Sequence, residues 1–554
     1  MHQRVEQFQR VEAEAVAVGS QRALGGAVIP LKLEDGALLL GCLAFSLLGL
    51  SAAAVGASPD EAVYVQTALE SLGRVDPWLA TAEGSPHWYK PPLLYWLMSG
   101  AMAVLGPTAL AARLPAALFG YGAAVCLCFL ARRLFSPEAG RTALVLTVSS
   151  LGLLKYGRTA MMDTGLLFGF ALGVLVLVRA SQRQRPRELL ALCVPFALML
   201  WLKGPTLLVV LAFTLVVATL VFDPRALRTP WLWVSLALGI VLGSPWYVVW
   251  ILRDPGPFVA EFFVSENVAR INAQWSLGSP AKLLITLALF SVPGSLLALR
   301  ARPGPSRSGQ RLGLAWAFAA VLPFAASAVT HLQWSVPASG GLMLLAASPP
   351  VRAWPGWLLA AVLALAGAAC VVGGPWLFDG VAAACAVGAG LILMAAAALL
   401  RAGRELAALK GWCVAVALLV VGPLTTFAGE VVPDTVVAKV RNRGVFVSAQ
   451  APGLVSLSLG RPVRSTPLEE VRTLIARGDA VIGFAEQLPC SEPGITCLTW
   501  RRMTMFSSSA DGARALAERS LEPLRTTWAC AMRDAQPERL RSPAQDVAPE
   551  RGLD

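Results

Sequence analysis

The chain has 554 residues, 56% of them hydrophobic and only 14% charged, and a mean hydropathy of +0.63. That balance excludes a soluble globule of ordinary surface polarity and indicates a polytopic membrane protein. The formal net charge of +12 belongs to the loops of one membrane face and implies no nucleic-acid partner.

Residues 1–35 are polar and read as a cytoplasmic segment. The apolar run after them lacks a small-residue cleavage site, so it reads as an uncleaved first span. Runs able to cross about 30 Å of hydrocarbon as helix, which takes roughly 20 residues each, then recur to residue 429. They lie near 36–57, 110–131, 142–156, 163–180, 188–202, 204–222, 230–251, 281–299, 311–329, 335–349, 356–375, 378–400 and 410–429. Thirteen helical spans are expected; a β-barrel would need short alternating segments instead.

With a cytoplasmic N-terminus, the inner loops carry Arg132, Arg133 and Arg141, then Arg179 to Arg187, Arg225 and Arg228, and later Arg300 to Arg311, Arg352, and Arg401 to Lys410. This positive-inside pattern predicts a multi-pass protein with a cytoplasmic N-terminus; the membrane expected is a bacterial-type inner membrane. The segments 58–109 and 252–280 become long outer loops, and the tail 430–554 lies on the same outer, periplasmic face. Loop 58–109 is too rich in Pro, Trp and charge for a span and reads as one or two helices along the membrane surface.

The tail is expected to form a small extracytoplasmic α/β domain. Short strands are predicted at 436–440, 445–447 and 480–484, helices at 468–477 and 511–520, and disorder over 536–554. Seven cysteines sit in the spans and pack there. Cys490 and Cys497 could close a small loop in an oxidising compartment, which would leave Cys530 unpaired; no cysteines have zinc-ligand spacing.

Chemistry concentrates at the outer boundary. In Ser58-Pro59-Asp60-Glu61, Ser, Pro and Glu make a helix-capping box. Asp60 is not required by that box, and a carboxylate at the hydrocarbon edge is costly enough to suggest a task. Asp163 stands at the outer start of the fourth span, either as a helix-dipole partner or as a second acid beside Asp60, the two serving as general base and orienting group. Lysine is scarce, yet Lys90, Lys155 and Lys203 all fall on the outer side; snorkelling accounts for Lys155 and Lys203 equally well.

The run His87-Trp88-Tyr89-Lys90-Pro91-Pro92-Leu93-Leu94-Tyr95-Trp96, following Asp60-Glu61, resembles the outer active-site loop of the C-type membrane glycosyltransferases. The match is to the families of lipid A aminoarabinose transferases and protein O-mannosyltransferases. Further matching pieces follow in the same order over 36–349: Ala112-Arg113-Leu114-Pro115, Arg158 to Asp163, Leu202-Lys203-Gly204-Pro205, and Ser244-Pro245-Trp246-Tyr247 opening toward Phe262-Phe263.

The resemblance implies a transmembrane glycosyltransferase domain over 36–429. Its donor would be a polyprenyl-phosphate-linked sugar, such as an undecaprenyl phosphate, and its acceptor a lipid A-like glycolipid or a protein. It assigns Asp60, with Glu61 and Asp163, to catalysis. Lys90, Arg270 and, more weakly, Lys203 are assigned to the donor phosphate, where charge develops as it leaves. Trp88, Tyr89, Glu266, Asn267, His331 and Trp334 complete the expected pocket.

Two departures bear on cofactor and substrate. Tyr89 and Glu266 stand where the aminoarabinose-transferase branch usually has glutamate and histidine metal ligands, so only Glu266 remains as a candidate ligand for a divalent metal. The branch's Lys-Leu-Pro-x-Tyr-x-x-Pro element appears as Thr330-His331-Leu332-Gln333-Trp334-Ser335-Val336-Pro337, which leaves sugar and acceptor open. A lipid or small-solute transporter, the rival class, would show mid-membrane charges and paired internal repeats. An inactive binding relative would be expected to lose Asp60 or Asp163.

Overall fold

A computed structural model describes residues 32–51, 59–268, 278–301, 307–325, 331–349, 356–424, 431–448, 453–503 and 525–533. The molecule is mostly helical. Among the described residues six helices are long and apolar enough to cross a membrane, at Ala109–Leu134, Asp163–Arg183, Pro205–Phe222, Trp357–Leu377, Gly380–Arg401 and Glu405–Pro423. Pro230–Gly243 and Pro245–Arg253, bent by 46°, make a seventh if counted as one span.

The first helix, α1 (Leu33–Leu47), is held at both ends by arginines from elsewhere in the chain. Asp35 at its start pairs with Arg132 of α4 (Ala109–Leu134) at 3.3 Å and with Arg141 of α5 (Pro137–Val148) at 2.7 Å. Buried charges persist only when paired in this way. At its far end Arg158 donates to the carbonyls of Phe45 and Leu48, satisfying acceptors that a helix terminus leaves open.

The segment expected as the first long outer loop holds two 13-residue helices, α2 (Pro59–Ser71) and α3 (Leu93–Leu105). Between them β1 (Thr81–Ala82) and β2 (Ser85–Pro86) make a minimal antiparallel hairpin. Its two-residue turn has φ +56° at Glu83 and +82° at Gly84. That is the positive-φ pair that suits a tight hairpin.

Several predicted spans are broken where the sequence offers the backbone another partner. The span expected at 142–156 is α5 followed by α6 (Leu151–Tyr156). Ser149 and Ser150 turn their hydroxyls onto Val145 and Thr147 carbonyls, and Ser150 then caps α6; such local hydrogen bonds compete with helix continuation.

Four further helices line up behind these: α7 (Asp163–Arg183), α8 (Cys193–Leu202), α9 (Pro205–Phe222) and α10 (Pro230–Gly243). Between α8 and α9 the chain breaks at Lys203-Gly204. Gly204 has φ +107° and lies so close to Phe262 that a Cβ would meet its ring at 2.9 Å. After α10, Pro245 opens α11 (Pro245–Arg253) at 46° to it, standing at the first helical position, where a missing N–H costs nothing.

The C-terminal segment carries a five-stranded sheet in the order β4-β3-β5-β7-β6. Its strands are β3 (Val445–Val447), β4 (Arg464–Ser465), β5 (Ala480–Phe484), β6 (Ile495–Met503) and β7 (Arg525–Arg533). β3 runs parallel to β4 and β5, and β7 antiparallel to β5 and β6, with Ile482 opposite Cys530 and Trp500 opposite Trp528. The expected strand at 436–440 is instead the helix Asp434–Val440. Its valines serve a helical face, with Val436 and Val440 buried one turn apart after the Pro433-Asp434 start. Cys490 and Cys497 are joined by a disulfide, and Cys530 is a buried free thiol. The helix expected at 511–520 and the segment 536–554 lie outside the described residues.

Candidate active site

Five separated stretches of chain converge on a cavity of about 370 Å³. α2 contributes Asp60, Val63 and Tyr64; the stretch leaving the hairpin contributes His87, Tyr89 and Lys90. The turn into α7 supplies Met161, Met162 and Asp163, and Lys203 comes from the α8–α9 break. His331, Gln333 and Trp334 close the wall.

The two aspartates are in different electrostatic states. Asp163, 1% exposed at the first position of α7, accepts from Lys203 Nζ at 3.1 Å. Burial of that carboxylate is offset by the ion pair and by the helix N-terminus. Asp60 is exposed to the cavity and has neither hydrogen bond nor ion pair among the described residues. Asp60 is thus open to the cavity, whereas Asp163 is already engaged.

Lys90 lines the cavity with its Nζ 3.0 Å from the Tyr89 carbonyl. Aromatic rings border both sides: His87 and Tyr89 are 5.0 Å apart by centroid, and His331 and Trp334 likewise. Trp334 packs at 4.9 Å on Phe324. The cavity therefore brings together two aspartates, two lysines and a partly aromatic wall.

Not every expected site residue lines the cavity. Glu61, next to Asp60, is 1% exposed. Its carboxylate accepts from Arg113 Nε at 2.7 Å, from Arg113 Nη2 at 3.3 Å and from the Ala160 amide at 2.9 Å. Arg113 also donates to the Leu50 carbonyl. Glu61 thus ties α2 to α4 and to the turn before α7, holding Asp60 and Asp163 to one frame.

Trp88 is buried against Trp250, 5.4 Å away in a T-shaped pair. Lys155 lies over the Tyr156 and Phe290 rings, away from the cavity lining. Arg270 and the side chains of Glu266 and Asn267 lie outside the described residues, as does Ser58 of the proposed capping box. Among the described residues no three His, Cys, Asp or Glu side chains converge on a metal position. Tyr89 lines the cavity.

The quoted motifs contain His87 and Gln333 of the lining and the Arg113 and Arg158 anchors, but gave none of the four a role. A signal for His87 existed: the chain has three histidines, and two of them fall in the segments carrying site motifs.

Comparison with known proteins sets this arrangement in context. Residues 89–250 match the family of dolichyl-phosphate-mannose-protein mannosyltransferases. The structure resembles that of ArnT from Cupriavidus metallidurans bound to undecaprenyl phosphate, at 16% identity and a TM-score of 0.68, over 90% of this chain and 98% of that one. The same protein in its apo state gives a TM-score of 0.66 over the same shares, also at 16% identity. No curated protein matches the chain by sequence. The fold is that of the C-type membrane glycosyltransferases. The resemblance to that superfamily, on the side of ArnT and the mannosyltransferases, holds in sequence over residues 89–250 and in fold over most of the molecule.

Proposed function

We propose that the chain is an integral-membrane glycosyltransferase that moves a sugar from a polyprenyl-phosphate carrier to an acceptor on the outer face of the membrane. The observation that carries this reading is the meeting of Asp60, Lys90 and the Asp163–Lys203 pair in one cavity, from four stretches of chain, within this fold. The undecaprenyl phosphate bound to ArnT supports the donor class.

In the proposed reaction the acceptor's nucleophilic oxygen attacks the anomeric carbon and gives its proton to Asp60. The bond from that carbon to the phosphate oxygen breaks, and the carrier leaves as a phosphate anion beside Lys90, with inversion at carbon. A cation at the leaving phosphate lowers the barrier because charge grows there. Arg270 is the proposed second phosphate ligand. The Asp163–Lys203 pair fixes the opposite wall, and Tyr89 and Trp334 present aromatic faces to the sugar or acceptor. No step is routed through a metal.

Topology completes the proposal: thirteen spans, a cytoplasmic N-terminus, and the cavity and the 430–554 domain on the periplasmic face of an inner membrane. The acceptor is a lipid A-like glycolipid or a protein. Mass spectrometry of lipid A, envelope glycans and glycoproteins, from cells with and without the protein, tests this. A sugar-sized mass that requires the protein is expected; identical spectra would overturn the reading.

A further inference from the structure

The outer-loop helix that carries Asp60 is wired to the C-terminal segment by a buried polar chain. Gln66, two turns along α2 from Asp60, is 2% exposed, and Ser456, in the helix Gly453–Leu459, is fully buried. Ser456 Oγ donates to Gln66 Oε1 at 2.6 Å and accepts from the Val463 amide at 3.0 Å. Gln66 Nε2 donates to Glu70 Oε1 at 2.7 Å.

The Glu70 carboxylate in turn receives the Thr81 hydroxyl at 2.6 Å, the Glu83 amide at 2.7 Å and the Gly84 amide at 3.0 Å. Successive amides in a positive-φ turn form a concave anion seat, and here a side chain fills it. The same turn is gripped from its other side, where Glu83 Oε2 accepts from the backbone and hydroxyl of Ser465. Directly beyond β2 the chain enters the cavity wall at His87, whose amide donates back to the Ala80 carbonyl, and continues in it with Tyr89-Lys90.

We propose that Ser456 is a positioning residue for the cavity: through Gln66 and Glu70 it fixes the hairpin that sets His87, Tyr89 and Lys90, while Ser465 holds that hairpin's tip. The C-terminal segment then acts as a brace on the donor-phosphate loop. None of these groups touches the substrate. A glutamine amide orients in only one way when its oxygen accepts and its nitrogen donates. Removing the Ser456 hydroxyl frees that orientation and, with it, the Glu70 seat. The functional half of this inference rests on the polyprenyl-phosphate reading.

The test uses the full chain in detergent, with two readouts: amide hydrogen exchange over 81–90, and binding of undecaprenyl phosphate. Ser456→Ala is expected to speed exchange over 81–90 roughly tenfold, the effect of losing one buried hydrogen-bonding partner. It should also weaken lipid-phosphate binding several-fold. Ser456→Thr, which keeps the hydroxyl, should restore both. Ser456→Ala combined with Gln66→Leu removes the Gln66 amide that the single variant leaves without its donor, while the Val463 amide loses its acceptor equally in both, so it keeps the test informative if the single variant folds poorly. Its loss should not exceed the larger of the two single losses, because the residues act in series. Arg472→Ala, breaking an exposed ion pair with Glu492 in the same segment, should change neither readout.

Unchanged exchange over 81–90 in Ser456→Ala would overturn the proposal, and so would faster exchange with undiminished lipid binding. Failure of the wild-type protein to bind undecaprenyl phosphate would overturn the functional reading instead, and exchange alone would then decide whether Ser456 positions the hairpin.

Discussion

At the residue scale, the account separates two adjacent acids that a motif treats as a unit. Asp60 faces the cavity, whereas Glu61 is locked to Arg113 in a buried pair. Breaking such a pair from one side strands a charge, which costs about 3–5 kcal/mol, while replacing both members by apolar residues costs far less. Arg113→Met should therefore lower the thermal unfolding midpoint sharply, and the double variant with Glu61→Leu should recover much of it. Equal losses in the two would contradict a paired role.

Cys530 gives a second residue-scale expectation. Burial in β7 pushes its thiol up to about 12. Since the thiolate is the reactive form and neutral pH lies far below that value, Cys530 stays protonated. A maleimide added to folded protein at pH 7 should leave it unmodified; after denaturation it should react, while Cys490 and Cys497 should react only after reduction.

At the element scale, the breaks between helices matter more than the helices. Gly204 occupies a left-handed position in contact with Phe262 and Tyr247. An alanine there incurs both backbone strain and a clash, together about 1–3 kcal/mol, and moves Lys203 away from Asp163. Gly204→Ala should lower thermal stability. Gly373→Ala, in the interior of Gly356–Leu377 with open space around it, should raise it slightly, by about 0.5–1 kcal/mol. A neutral Gly204→Ala would show that the break is not constrained as described.

These breaks also mark what the sequence could not announce. Continuous apolar runs made Ala109–Leu134, Asp163–Arg183 and Pro205–Phe222 legible, because hydropathy over 18 residues leaves few alternatives. The stop at Ser149-Ser150 was hidden within an apolar stretch, since two hydroxyls barely change its hydropathy. Val436 to Val440 read as strand on β-branched composition, yet burial at a four-residue spacing put it in a helix.

At the scale of the whole molecule, Asp60, Lys90, Asp163 and Lys203 were legible because local motifs carry them, and the fold brings them to one cavity. The Ser456–Gln66 contact was not, because it joins residues 390 positions apart whose types are unremarkable singly. The membrane helices supply a rigid frame, the outer helices bring the charged residues to it, and the C-terminal segment braces the hairpin from outside.

The central claim is that Asp60 takes the acceptor's proton in a sugar transfer from a polyprenyl-phosphate donor. The most direct test compares envelope lipids, glycans and glycoproteins by mass spectrometry in cells making wild-type protein or Asp60→Asn at matched levels. The account predicts a sugar-sized mass addition with wild type, and its reduction by about a hundredfold or more in Asp60→Asn, the scale of a lost general base. A modification that persists undiminished in Asp60→Asn would contradict it.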